Sequence, residues 1–334
     1  MQRRALALFS GGQDSILAAK VIQNQGIDVL ALNFTSPFFG CMPLSSDGES
    51  EAARLARRYA IPYRQVQLGK EFLDMLRHPQ HGYGSALNPC IDCKAFMLRC
   101  AKSMLEECQA DFVITGEVVG QRPMSQRLDT LNLIQRESGL GGLLLRPLSA
   151  RYLKPTIPEL EGWIRKEELP AMRGRGRKEQ IALAARLGID EFPNPAGGCL
   201  LTEESYIPKV KDVLDHLADP EVRDFHLLRT GRHFRLSDTC KLIVGRDSRD
   251  NEEILASIGS GELTVRWAEG ASPLALLVGA PTEHDLQQAA RVVLRYTKAP
   301  KGEPGRISVQ KDGRRHEITA VNDLVEGELE RLRI

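Results

Sequence analysis

The chain has 334 residues, enough for two domains and a sizeable core without disulfide staples. Its 45 Lys and Arg against 44 Asp and Glu leave a net charge of +1, which excludes a uniformly basic nucleic-acid coat but allows local basic patches. Hydrophobic residues make up 42% and charged residues 27%, no apolar run approaches the ~20 residues of a bilayer span, and Met1-Gln2-Arg3-Arg4 leads into no export signal, so a cytoplasmic globular protein with no membrane contact is expected.

The first 150 residues alternate in type. Ala5–Phe9 is a short apolar run, hence a buried strand, and Ser15–Asn24 has helical spacing. Ile27–Phe34 predicts a second strand. Glu49–Ala60 predicts an amphipathic helix with Ser46 or Asp47 as cap, and Ile61–Leu68 a third strand. Ala95–Cys108 is helical, with Met97, Leu98, Met104 and Leu105 on one face; Asp111–Thr115 and Leu143–Leu148 are strands. Strands alternating with helices predict an α/β fold, a doubly wound parallel sheet covered on both faces. Ile157–Lys166 and Lys178–Leu187 are predicted helices, within a locally basic stretch over 146–178 of nine Lys and Arg against four Glu. We place the first domain at 1–205 and a linking helix at 206–220, ending at Asp219-Pro220. Residues 221–334 form a smaller α+β domain: short strands at His233–Leu236, Cys240–Val244, Leu263–Trp267 and Leu274–Val278, a helix at Glu283–Val293, and a hairpin around Asp312-Gly313.

The strongest single signal is Ser10-Gly11-Gly12-Gln13-Asp14-Ser15, directly after a predicted strand and before a predicted helix. Glycines let the backbone approach a polyanion closely, and the helix N-terminus offers unpaired N–H groups and partial positive charge. The spacing fits neither GxxxxGK[ST] nor GxGxxG. The plainer alternative is a turn whose glycines only reverse the chain.

This Ser-Gly-Gly-x-Asp-Ser turn resembles the pyrophosphate loop of the ATP-pyrophosphatase superfamily, the PP-loop enzymes, which cleave ATP between the α and β phosphates and adenylate a carbonyl oxygen. The resemblance implies that Ser10, Gly11, Gly12, Asp14 and Ser15 hold the pyrophosphate of ATP and its Mg2+. Thr115-Gly116-Glu117, Gly120-Gln121 and Ser125-Gln126 resemble a segment of the tRNA 4-thiouridine synthetases. Asn88-Pro89-Cys90-Ile91-Asp92-Cys93-Lys94 and Arg175-Gly176-Arg177-Lys178-Glu179-Gln180-Ile181-Ala182 resemble segments of the tRNA 2-thiouridylases, and Gly198-Cys199-Leu200 falls where those enzymes carry a second active-site Cys. The likeness covers about residues 5–205 and implies an adenine nucleotide alpha hydrolase-like fold. It places Asn33 and Phe34 beside the adenine, Gly116 and Gln126 near the nucleotide and Lys94 near its phosphate. The implied activity is ATP-dependent tRNA uridine thiolation: adenylation makes the uridine oxygen a leaving group, and sulfur displaces AMP. The partners are then tRNA and a sulfur donor, either a cysteine desulfurase or sulfide.

Cys90-x-x-Cys93 is the only CxxC, a spacing that serves zinc, dithiol redox or iron–sulfur chemistry. The resemblance brings Cys199 to it, making three thiolates, a set suited to a [4Fe-4S] cluster with one open iron. The family pattern has Asp where Cys90 stands, so its acid/base role is not carried to the offset Asp92. The alternative is a persulfide on Cys93 or Cys199, resolved by the other Cys, with Lys94 favouring a thiolate. Cys41, Cys100, Cys108 and Cys240 read as ordinary residues, Cys100 and Cys108 as packing on a helix, with approach to the site the alternative for Cys41 at its strand-end loop. Beside such a site Arg173, Arg175, Arg177 and Lys178 fit RNA phosphates, although a charge run is commonly a solvated loop.

Gly231-Arg232-His233-Phe234-Arg235-Leu236, then Lys241-Leu242-Ile243-Val244-Gly245-Arg246-Asp247, resembles the RNA-associated NFACT-R fold over about 220–320. Such a domain would stand in place of the THUMP module of 4-thiouridine synthetases and the β-barrel of 2-thiouridylases. Two rivals keep other classes open. One is a PP-loop enzyme adenylating a small molecule; the other is an RNA-binding quality-control factor with a degenerate nucleotide domain, against which the intact Asp14 and both loop glycines speak.

Overall fold

The computed structural model describes residues 2–40, 49–193 and 198–334. The chain divides into two compact units, Met1–Glu203 and Glu204–Ile334.

The first unit runs β1 (Arg4–Leu8), α1 (Gln13–Gln23), β2 (Asp28–Thr35), α2 (Glu51–Arg58), β3 (Tyr63–Gln67), α3 (Lys70–Arg77), α4 (Cys90–Ser103), β4 (Phe112–Thr115), α5 (Leu128–Glu137), β5 (Leu144–Leu145), α6 (Ile157–Leu160) and α7 (Lys178–Arg186). Its five strands are all parallel, in the order β3-β2-β1-β4-β5. Alternate residues of the central strands go to opposite faces. Ala5, Ala7, Phe9, Val29, Ala31, Phe112 and Ile114 pack with α1, α2 and α7, including Ile16, Leu55 and Leu183. α4 packs against β1 and β4 on its other side, with α3 and α5 against α4, and Phe72 gathers Phe38, Phe39 and Phe96 around it. The fold class expected from the sequence is the one observed, an α/β doubly wound parallel sheet. The chain leaves β1 toward β2 and β3, then crosses back to β4, so the order reverses beside the central strand. A crevice opens at such a switch point, at the carboxyl ends of the strands. Residues 10–15, 33–35 and 115–117 lie at that end.

Several boundaries differ from expectation. α4 begins at Cys90 rather than Ala95, with Pro89 as its cap, so the whole CxxC lies in the first turn. The strand expected over 143–148 shrinks to Leu144–Leu145, between a 3-10 turn at Gly141–Leu143 and Pro147. The helix expected over 157–166 is a single turn, ended where Gly162 takes φ +67°. α3 and α5 were not anticipated. Ser50 caps α2 by accepting from Ala53 N at 3.2 Å; the expected caps Ser46 and Asp47, and Cys41, lie outside the described residues.

The second unit runs α8 (Ile207–His216), α9 (Val222–Leu227), β6 (Arg232–Ser237), β7 (Cys240–Val244), α10 (Ser248–Ala256), β8 (Leu263–Trp267), β9 (Ala275–Gly279), α11 (Glu283–Arg295), β10 (Pro304–Lys311), β11 (Arg314–Val321) and α12 (Glu326–Leu332). Its sheet is antiparallel throughout, ordered β11-β10-β8-β9-β7-β6, and α11 covers one face through Ala289, Val292 and Val293. Asp312 and Gly313 both have positive φ, +46° and +79°, as a two-residue hairpin whose turn matches strand twist requires. α8 corrects the expected linker at 206–220. Asp212 accepts from Arg235 Nη2 at 2.7 Å and Lys241 Nζ at 3.0 Å, a pair facing each other across β6 and β7, so α8 is welded to this sheet and the unit starts at Glu204.

Candidate active site

The phosphate loop joins β1 to α1. Gly11 has φ +76°, and a Cβ there would meet Ala52 Cα at 3.1 Å, so both conformation and space call for glycine. Gly12 N donates to Ser10 Oγ at 3.3 Å, and Ser15 Oγ donates to Gly12 O at 2.8 Å. These bonds hold the turn and set two hydroxyls 3.5 Å apart. On the opposite wall, a Cβ on Gly116 would stand 2.6 Å from the Asp14 carbonyl, so the end of β4 touches the first turn of α1 backbone to backbone.

Asp14 accepts from Gln121 Nε2 at 2.9 Å, with Arg177 Nη2 at 3.8 Å. Burial raises its pKa, against the pull of Gln121, Arg177 and Arg122. Polar atoms around the loop are left without partners. Among the described residues, twelve buried side-chain nitrogens and oxygens have none, and eight belong to Gln13, Asp14, Glu117, Gln121, Gln126, Arg177 and Gln180. Buried polar groups are normally hydrogen-bonded. So dense a set of exceptions marks a place built for a polar ligand.

The cysteines lie next to this crevice. Cys90 and Cys93 are three apart on α4, on one face. Leu87 N donates to Leu201 O at 3.2 Å and Leu200 N to Phe38 O at 2.9 Å, which ties the Cys199 segment to the start of α4. The three thiols lie in one another's field: burial first, then charge on Cys199 and Cys90, pushes Cys93 up to about 12, despite Lys94 pulling the other way. Burial takes Cys199 up to about 11. The expected activation of a thiolate by Lys94 is therefore outweighed by desolvation. Asn88 Nδ2 donates to Cys90 Sγ at 3.2 Å. No three His, Cys, Asp or Glu side chains among the described residues close around a single-ion position.

Lys94 links the two halves of the crevice, acting electrostatically on both Cys93 and Glu117. Glu117 is buried, which works to raise its pKa, but Arg146 and Lys94 beside it hold it below the usual carboxylate range. Arg146, 2% exposed, donates Nε to Glu117 Oε2 at 3.0 Å, Nη1 to Gln135 Oε1 at 2.9 Å and Nη2 to Leu131 O at 3.1 Å. Arg146 is not marked by the sequence as a site residue, and Gln121, which stands in the Gly120-Gln121 motif, carries no role from it; their structural partners supply one.

Other expected residues are placed differently. Asn33 spends its amide internally, donating to Phe9 O at 2.8 Å and accepting from Tyr63 OH at 3.1 Å, and Phe34 is buried. Their side chains are thus occupied by the fold rather than offered to an adenine. Gln126 is buried beside the crevice with Oε1 unpartnered. Asp92 accepts from Gln80 N and His81 N at 3.0 and 3.1 Å and so fixes the loop before α4. The basic segment docks on the 117–126 loop through Gly174 N to Val119 O at 2.7 Å. Arg173, Arg175 and Lys178 are exposed, with the Arg173 guanidinium 5.6 Å from the Tyr152 ring centre. Arg177 departs from them by turning to Asp14.

Residues 1–160 match the family described as "Thiamine biosynthesis protein (ThiI)", and residues 231–333 match the "NFACT protein RNA binding domain". The first unit is ThiI-like and the second NFACT-R-like. The tRNA-specific 2-thiouridylase MnmA of Listeria monocytogenes serotype 4a (strain HCC23) is 24% identical over 212 residues, covering 61% of this chain and 54% of that protein. A tRNA sulfurtransferase of Desulfurococcus amylolyticus (strain DSM 18924 / JCM 16383 / VKM B-2413 / 1221n) is 27% identical over 145 residues, covering 43% of this chain and 29% of that protein. A solved 4-thiouridine synthetase–RNA complex with bound ATP is similar at 20% identity and TM-score 0.34, covering 56% of this chain and 52% of that one. The chain spans about half the length of the curated relatives it matches first.

In the NFACT-R-like unit, the matched region opens on Gly231, whose φ is +77° and whose Cβ would lie 2.6 Å from Val244 O. The basic residues of this motif hold the fold. Arg232 stacks on Tyr296 with its guanidinium 4.6 Å from the ring centre, Arg235 and Lys241 pair with Asp212, and Arg246 pairs with Asp250 at 2.6 Å. No helix among the described residues is long and apolar enough to cross a membrane.

Proposed function

We propose that the chain is an ATP-dependent tRNA sulfurtransferase acting on a uridine. The observation that carries this reading is the convergence, at one switch-point crevice, of the phosphate loop, the close-packed Gly116 and the three cysteines, bridged by Lys94. Ser10, Gly11, Gly12, Asp14 and Ser15 bind the polyphosphate of Mg2+-ATP, with Gly116 and Gln126 against the nucleotide; adenine contacts at the end of β2 fall to backbone groups, since Asn33 and Phe34 turn inward. The uridine carbonyl oxygen attacks the α-phosphorus and pyrophosphate leaves. Sulfur then displaces AMP.

Cys90, Cys93 and Cys199 act on one another electrostatically, and three thiols are the donor type and number that a [4Fe-4S] cluster with one open iron takes. Cys90, Cys93 and Cys199 would hold it, and it would supply an open iron for sulfide. Desolvation pushes Cys93 and Cys199 toward the protonated thiol, and metal coordination deprotonates such ligands. A free Cys93 or Cys199 persulfide relay is correspondingly less favoured, because the thiolate is the nucleophile. Arg173, Arg175 and Lys178, all exposed, contact tRNA phosphates, and the NFACT-R-like unit adds a second RNA contact. Sulfide or a cysteine desulfurase is the donor. The experiment is deletion of the gene followed by nucleoside analysis of bulk tRNA: one thiouridine species is lost, and normal thiouridine levels would overturn the reading.

A further inference from the structure

The basic segment and the helix after it hold a feature that RNA binding does not explain. Arg177, at the start of α7, turns inward to Asp14, while Arg173, Arg175 and Lys178 stay exposed. Its Nε is buried without a partner. Gln180, three residues on and so on the same face of α7, is 1% exposed with neither amide atom partnered. α7 packs against α1, whose first residue, Gln13, is 3% exposed and also has an unpartnered Nε2. Three orphaned buried donors thus sit in the phosphate loop, at Gln13, and at the start of the helix packed on α1, at Arg177 and Gln180. Orphaned buried donors are costly, and an anion would satisfy these three donors, while Gln180 Oε1 remains an acceptor for a second, proton-bearing group.

Resting on the ATP reading above, we propose that the first turn of α7 is the second wall of the polyphosphate site, and that Arg177 and Gln180 hold the pyrophosphate leaving group. As the uridine oxygen bonds to the α-phosphorus, the bond from that phosphorus to its bridging oxygen breaks. The bridging oxygen keeps the electron pair, and negative charge grows on pyrophosphate. The guanidinium of Arg177 meets that charge, and Gln180 Nε2 donates to a phosphate oxygen. Asp14, now sharing Arg177, is left to Mg2+ once the phosphates draw the arginine away.

The test uses the full chain and inorganic pyrophosphate with Mg2+, titrated by calorimetry, beside tRNA binding measured as a function of salt. Arg177→Ala should weaken pyrophosphate binding at least tenfold, Arg177→Lys should retain part of it, and Gln180→Glu, which places negative charge in the site, should abolish it. tRNA affinity and its salt slope should change less than twofold in all three. Misfolding would lower both affinities together and is separated by Arg177→Lys, which keeps the charge. Two results overturn the proposal: wild type that does not bind pyrophosphate, or Arg177→Ala that binds it normally while its salt slope for tRNA drops by about one. Failure of the thiolation reading looks different, with pyrophosphate binding lost in the variants as expected but no tRNA-dependent pyrophosphate release by wild type.

Discussion

Gly116→Ala probes the closest approach in the crevice. An added Cβ would stand 2.6 Å from both the carbonyl carbon and oxygen of Asp14, and 2.7 Å from Ser15 N. All three are backbone atoms, so no rotamer change relieves the contact. Carbon atoms pack at about 3.5–4.0 Å, so the end of β4 or the first turn of α1 must retreat by roughly 0.9 Å, the difference between 3.5 and 2.6 Å. Overpacking of this kind costs about 1–3 kcal/mol. The functional loss should be larger, because a shift of about 1 Å in a positioning element can cost on the order of 100-fold. We therefore expect urea unfolding to report a loss of about 1–3 kcal/mol, and a fluorescent ATP analogue to bind at least tenfold more weakly. Stability and nucleotide affinity both within error of wild type would mean that β4 and the loop do not pack as described, and the reasoning from close approach would fail.

Asp212→Asn leaves Arg235 and Lys241 facing each other with their shared carboxylate gone, and should destabilise the second unit by about 3 kcal/mol in chemical denaturation. His233, 1% exposed, donates Nε2 to Thr230 O and faces Lys241, Lys209 and Arg246; burial, then those cations, depress its pKa well below 6.5. Its folded pKa lies below its unfolded one, so its stability contribution is complete above about pH 6.5 and is lost as pH falls below that value, by up to about 1.4 kcal/mol per pH unit. Trp267 fluorescence in a Trp163→Phe background should show that slope between pH 7.5 and 5.5, and His233→Gln should remove it; an unchanged slope in the variant would assign it elsewhere. Anaerobically purified protein should carry about four irons and four acid-labile sulfides, both lost in Cys90→Ala and Cys199→Ala. No iron would turn the chemistry to a persulfide relay, and about one zinc would make the cysteines structural.

Much of this site is local and therefore legible. The Ser10–Ser15 loop needs only a strand, two glycines and a helix start in succession, and all three are written consecutively. The hairpin at Asp312-Gly313 is similarly local. What the sequence does not display are partnerships across the fold. Arg177 lies in an arginine-rich run and reads as RNA-binding until Asp14, distant in the chain, is seen beside it. Arg146 looks like any arginine, yet it is buried against Glu117 because β5 runs beside β4. Asn33 carries a polar amide that suggests a ligand, but Phe9 and Tyr63 already use it. The helix at Ile207–His216 has the pattern of a connector, and only its Asp212 contacts assign it to the sheet it packs on.

The most direct test of the central claim is anaerobic incubation of the full chain with Mg2+-ATP, sulfide and unmodified tRNA, followed by mass spectrometry of the nucleosides. We expect thiouridine that requires ATP and disappears in Asp14→Ala and Cys93→Ala. Unthiolated tRNA, from protein whose iron–sulfur content and nucleotide binding are intact, would contradict it.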